Sequence, residues 1–230
     1  MGSPYHQFCP VAKAMELLDE RWTLLVIREL LAGSRHFNDL RRGLPRMSPT
    51  LLSKRLGQLV ASGVVERRTD GREVVYAPTR AGEELRPAIE LLGAWGMRWT
   101  GVLGDVDLDP KLLMWDLHRN VDRALVPPGT TVVRFDFTDL SARQGQWWIV
   151  LTPEEVDVCD ADPGHEVAAT VAGPLRSLVE IWRGDRTWID ALRAESVTIT
   201  GPERIRRVIP AWFRPGNFAA VPRPDQELVA

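Results

Sequence analysis

The chain has 230 residues, 44% of them apolar and 26% charged, with 18 Gly, 17 Pro and 2 Cys. That composition excludes a disordered or collagen-like chain, and no apolar run approaches the roughly 18 residues of a membrane span. The net charge of -2 conceals two halves of opposite sign: residues 1–103 hold 15 Lys+Arg against 11 Asp+Glu, a balance of +4, and residues 104–230 hold 14 against 20, a balance of -6. Only the first half suits a polyanionic partner.

Nothing in Met1 to Pro10 resembles a secretory leader, so a soluble cytoplasmic protein is expected. Val11, Ala14, Met15 and Leu18 share one helical face, and Trp22, Leu25, Val26 and Leu30 share another. Gly33-Ser34 ends the second helix, and Phe37, Leu40 and Leu44 mark a short third one whose other face carries Asp39, Arg41 and Arg42. After the break at Gly43 to Arg46, Ser48-Pro49 reads as an N-cap with proline at the first helical position. In the fourth helix Leu52, Leu56, Leu59 and Val60 face inward, which turns Thr50, Ser53, Lys54 and Gly57 outward. Such a face, polar and basic at a helix N-terminus, is suited to phosphates and base edges.

Ser62-Gly63 closes that helix. Val64 to Arg68 and Glu73 to Ala77 then alternate as strands around Asp70-Gly71, a hairpin signal. Its arginines, Arg67, Arg68 and Arg72, complete the pattern of a winged helix, with the fourth helix as reader and the hairpin as wing. The candidate DNA-contacting residues are Arg41, Arg42, Arg46, Ser48, Thr50, Ser53, Lys54, Arg55, Arg67, Arg68 and Arg72. Arg80 to Trp99 is predicted as one long helix. Its seam of Leu85, Ile89, Leu92, Trp95 and Trp99 suits a partner helix in a homodimer.

Gly101 to Pro110, with two glycines, three aspartates and a proline, is the expected linker. It divides a winged-helix domain at 1–103 from a second domain at 104–230. Beyond it, Lys111 to Leu125 is predicted as a helix with Leu113, Leu117 and Val121 in one stripe. Strands follow at Thr131 to Phe137, Gln146 to Leu151, Glu155 to Cys159 and Glu166 to Val171. Helices at Pro174 to Trp182 and Trp188 to Arg193, a strand at Ser196 to Thr200 and a helix at Pro202 to Phe213 complete an α+β layer.

Two resemblances add to this reading. Cys9-Pro10, Arg21-Trp-Thr-Leu-Leu25, Arg28-Glu-Leu-Leu31, Phe37-Asn-Asp-Leu40, Ser48-Pro49, Leu52-Ser-Lys-Arg-Leu56, Pro78-Thr79 and Ala81-Gly82 resemble the HxlR-type family of winged-helix regulators over residues 8 to about 100. The resemblance implies a dimeric bacterial DNA-binding protein, and it places Cys9 where some members sense oxidants. Val171-Ala-Gly-Pro174, Ile181-Trp-Arg-Gly184 with Ala191 and Leu192, and Val197-Thr-Ile-Thr-Gly201 resemble the sterol carrier protein type of lipid-binding domain over about residues 108–215. That implies an apolar tunnel, for which Phe135, Phe137, Trp147, Trp148, Leu178, Trp182, Trp188, Trp212 and Phe213 are the candidate lining residues.

His6, His36, His118 and His165 have neither metal-ligand spacing nor a nucleophile motif nearby, and no phosphate-cradling glycine loop is present, so no enzyme, metal or cofactor is expected. The leading expectation is a dimeric repressor gated by an apolar small molecule in the second domain. Two rivals stand beside it: a redox regulator sensing through Cys9 with a structural second domain, and a lipid carrier whose winged helix does not bind DNA.

Overall fold

The structure, a computed structural model, describes residues 4–100 and 103–224. The chain divides into two compact units, Met1–Gly96 and Met97–Ala230. The division falls within a helix, upstream of the expected linker, of which Gly101 and Val102 lie outside the described residues. The rest of that segment is tied down: Arg176 donates to the carbonyl of Leu103 at 3.2 Å and to Asp105 at 2.5 Å.

The first unit opens with α1 (Pro10–Leu18), which has Cys9 as N-cap, followed by α2 (Thr23–Leu31) and α3 (Phe37–Gly43). Next come α4 (Pro49–Ala61) and a hairpin of β1 (Val65–Asp70) and β2 (Glu73–Pro78). The hairpin is antiparallel, pairs Asp70 with Glu73, and turns on Gly71 at φ +59°, a conformation glycine adopts without penalty. Val26, Ile27, Leu30, Leu40, Leu52, Leu56 and Leu59 form the core.

The single helix expected from Arg80 to Trp99 is instead two, α5 (Arg80–Glu83) and α6 (Arg86–Trp99). Pro87 explains the break, because it lacks the N–H that would continue the ladder and its ring crowds the preceding turn.

In the second unit Asp109 caps α7 (Pro110–Arg119), accepting from the N–H groups of Lys111 and Leu112. This helix ends six residues before the predicted Leu125. The Asn120 carbonyl accepts from Arg214 N–H instead, and Val121 forms a bridge with Phe213. Strand β3 (Thr131–Phe137), the one-turn α8 (Ala142–Gly145), β4 (Gln146–Leu151), β5 (Val156–Cys159) and β6 (Val167–Gly173) follow.

Then come α9 (Leu175–Arg183), α10 (Trp188–Arg193), β7 (Thr198–Thr200), α11 (Glu203–Arg206) and α12 (Ile209–Trp212). The predicted helix from Pro202 to Phe213 is thus two short ones, and Pro210, unable to donate, sits at the start of the second. The sheet order is β5-β4-β3-β6-β7, all antiparallel except the central β3/β6 pair. Its core face packs against residues of α7, α9, α10, α11 and α12.

A strap closes this unit. Gly216 N–H donates to the Trp182 carbonyl at 2.7 Å, and a Cβ at Gly216 would stand 2.8 Å from the Trp182 ring. Further along, Arg223 donates to Asp185 at 2.5 Å, beside the Arg183 hydrogen bond at 2.7 Å. Partial burial works to raise the Asp185 carboxyl, but the hydrogen bonds and charges of Arg183 and Arg223 outweigh it and hold the group below its ordinary value.

A depressed folded value means that the stabilisation is complete above the ordinary Asp pKa of about 3.9 and is lost as pH falls through the folded value. The protection of the amides around Arg223, taken as exchange relative to the intrinsic rate at each pH, is therefore expected to fall as the pH drops below about 4. In Asp185→Asn that protection should already be low at pH 5, and wild-type protection in that variant would contradict the role given to Asp185 in holding the strap.

Candidate nucleic-acid interface

The N-terminus of α4 is organised as its sequence dictates. Ser48 Oγ accepts from Leu51 N–H at 3.3 Å, and Pro49 occupies the first helical position. Leu52, Leu56 and Leu59 are buried, while Thr50, Ser53, Lys54 and Gly57 are exposed along the opposite face. Upstream, α3 starts with Asp39 accepting from His36 N–H at 3.4 Å, and Arg41, Arg42 and Arg46 are exposed around the turn into α4.

The wing is anchored at its base. Thr79 Oγ1 donates to the Gly63 carbonyl at 2.7 Å, and Tyr76 N–H donates to the Arg35 carbonyl at 2.9 Å. α4 packs against β1 and α3 against β2, so helices and hairpin form one body. Arg67, Arg68 and Arg72 are exposed, Arg68 being paired with Glu66 at 2.5 Å.

Arg55 corrects the sequence reading. Its side chain is 9% exposed. Nε donates to the Arg21 carbonyl at 3.1 Å, Nη1 donates to Gln58 Oε1 at 2.6 Å, and the guanidinium is paired with Glu20. A buried guanidinium with these partners ties α4 to the turn between α1 and α2 and offers nothing to a ligand outside. Arg55 follows Lys54 in the sequence, but adjacent helical residues diverge by about 100°, so only Lys54 lies on the exposed face.

The helix seam also divides. Leu85 and Ile89 pack on the first unit's own core, which removes them from the partner-facing set. Leu92 and Trp95 are 53% and 58% exposed and Trp99 is 41% exposed. Sequence reasoning missed Leu91, at 72%, which lies off the four-and-three spacing of the seam, and Phe8, at 100%, while Val11, placed on the apolar face of the first helix, is 69% exposed. Cys9 is half-buried, and Cys159 lies in the second unit.

In the second unit Phe135, Phe137, Trp147, Leu178, Trp188, Trp212 and Phe213 are members of one buried cluster, with Trp182 packed against it. Trp148 is outside that cluster. Adjacent strand residues point to opposite faces, so Trp147 and Trp148 cannot share a cavity, and Trp148 carries the Arg134 guanidinium over its ring at 6.0 Å instead. The Trp182 indole N–H is buried without a hydrogen-bond partner. Among the described residues, no group of three or more His, Cys, Asp or Glu is placed to hold a metal ion, and no helix is long and apolar enough to cross a membrane.

Comparison with known proteins follows this division. A family model described as HxlR-like helix-turn-helix matches residues 17–103. The HTH-type transcriptional regulator YvaP of Bacillus subtilis is 34% identical over 111 residues, which are 46% of this chain and 95% of YvaP. The HTH-type transcriptional regulator Rv3095 of Mycobacterium tuberculosis is 44% identical over 89 residues, 37% of this chain and 56% of Rv3095. Among solved structures, a possible HxlR family transcriptional factor from Thermoplasma volcanium is 34% identical, with a TM-score of 0.34 over 38% of this chain and 82% of its own.

Proposed function

The chain belongs, through its first unit, to the HxlR-like helix-turn-helix family of DNA-binding transcriptional regulators, and from that premise we propose that it is a dimeric repressor whose second unit binds an apolar small molecule. The observation that carries the DNA-reading part is the exposed face of Thr50, Ser53 and Lys54 on a capped α4, flanked by the exposed arginines of the α3 turn and the wing. Ser and Thr hydroxyls and Lys reach base edges and phosphates, while the wing arginines neutralise backbone charge. Dimerisation rests on Leu91, Leu92, Trp95 and Trp99, large apolar side chains left in water on α6.

Ligand binding rests on the resemblance of the second unit to sterol carrier domains and on its aromatic-rich core between sheet and helices. The ligand would act by favouring one arrangement of the two readers in a dimer. A tenfold change in operator affinity requires about 1.4 kcal/mol of differential affinity.

The test begins with duplexes enriched from a random-sequence library by the full-length protein. Lys54→Ala and Arg67→Ala are each expected to lower the slope of log affinity against log salt by about 1. Slopes equal to wild type in both variants would remove these residues from the interface. Denaturing extraction followed by mass spectrometry should release a stoichiometric apolar molecule whose addition shifts the same titration. An empty second unit with normal DNA binding would leave the regulator without this ligand.

A further inference from the structure

Gly57 has no justification inside the fold. It is the ninth residue of α4, with four helical residues after it, and the C-terminal end is handled by Ser62 and by Gly63 at φ +74°. A glycine in a helix interior is less stable than alanine because it loses more backbone freedom and packs nothing. Four other glycines of the first unit have local reasons. Gly33 and Gly71 adopt φ of +99° and +59°, while a Cβ would stand 1.8 Å from Glu29 Oε2 at Gly43 and 2.4 Å from the Val64 carbonyl oxygen at Gly82. Gly57 has a helical backbone, and nothing outside its own helix backbone lies within 4 Å of the place its Cβ would take.

Its location supplies the reason. Thr50, Ser53, Lys54 and Gly57 follow the i, i+3, i+4, i+7 spacing and are all exposed on one face of α4. A missing side chain in line with three polar ones leaves bare helix backbone where the others project. Glycine is the residue that allows a backbone to approach another surface closely.

We propose that Gly57 is the point of closest approach between α4 and the DNA, where the helix backbone lies against the sugar–phosphate wall of the major groove. The absent Cβ then fixes how far Thr50, Ser53 and Lys54 penetrate toward base edges, which makes Gly57 a specificity-determining residue. This rests on the DNA-reading function of α4 and adds to it the depth at which the helix is seated.

The test uses the full-length protein, the library-enriched duplex and a scrambled duplex of the same composition. Gly57→Ala is expected to raise the melting midpoint by about 2–4 °C and to weaken binding to the enriched duplex about tenfold, with a smaller loss on the scrambled one. Gly57→Gln should weaken the enriched complex further, by about a hundredfold. Opposite signs in stability and affinity are what a merely tolerated surface glycine would not give. A higher midpoint with unchanged affinity would overturn the proposal, and so would a lower midpoint, which would mean that the glycine serves packing. A wild-type protein with no salt-dependent binding to either duplex would overturn the DNA-reading function itself and this inference with it.

Discussion

Glu29→Ala is expected to destabilise the first unit by about 3 kcal/mol, near the low end for breaking a buried ion pair. Glu29 is fully buried on α2. Its Oε1 accepts from Arg28 at 2.7 Å, its Oε2 accepts from Ser34 Oγ at 3.2 Å, and Arg28 also donates to the Gly43 carbonyl at 3.1 Å. The carboxylate therefore joins α2 to the turn after it and to the end of α3, directly ahead of the reading helix. Arg28 remains 35% exposed and can find water when its partner is removed, which keeps the loss from the upper end of the range.

Gly43→Ala should do comparable damage, since its Cβ would occupy the place of the Glu29 carboxylate. Urea unfolding followed by probes specific to each unit checks this. The first unit's transition should move in both variants while the second unit's stays in place, and a shift under about 1 kcal/mol in Glu29→Ala would show that the buried carboxylate is dispensable.

Trp212→Ala is expected to cost the second unit about 4 kcal/mol, as truncations of large buried aromatic side chains do. Trp212 has no exposed surface, its indole donates to the Leu125 carbonyl at 2.9 Å, and its backbone carbonyl accepts from Asp122 at 2.8 Å. Trp212→Phe retains most of the volume but removes the hydrogen bond to the Leu125 carbonyl, which belongs to an exposed residue and can turn to water, so a loss of about 1 kcal/mol is expected. The ratio of the two losses separates packing from hydrogen bonding. Equal losses would mean that the hydrogen bond, not the ring, dominates.

Local chemistry made much of the first unit readable. Ser48-Pro49 announces the start of α4 and Asp70-Gly71 the turn of the wing, because both depend on backbone preferences of adjacent residues. The outward set of Thr50, Ser53, Lys54 and Gly57 followed from helical period alone. The burial of Arg55 did not, because its partners Arg21 and Glu20 lie over thirty residues away and only tertiary folding brings them to it. The same holds for Leu85 and Ile89, whose apolar spacing suits a partner's helix and the chain's own core equally.

In the second unit the strands were legible from alternation and turn residues, and their order was not, since β-pairing partners are set by long-range contacts. The breaks before α6 and α12 were written in Pro87 and Pro210, but apolar periodicity running through both prolines concealed them. The faces of Trp147 and Trp148 follow from the two-residue strand period. Which of them meets the helices depends on register.

The central parallel pair of the second sheet bears on how the protein is made. β3 cannot complete its ladder until β6, from Val167 onward, has been synthesised, and Asp122 and Asn120 take their backbone partners from Trp212 and Arg214. Few of these contacts are local, so loop closure must come before most of the compensating interactions. The first unit, whose core ends with the hairpin and the start of α6, pairs its two strands within a dozen or so positions of one another, and the longer bridge from His36 to Val75 also closes inside that unit. On a ribosome the DNA-reading unit is thus complete while much of the second is still being translated, and the nascent chain passes through a stage in which a reader exists without the unit proposed to govern it.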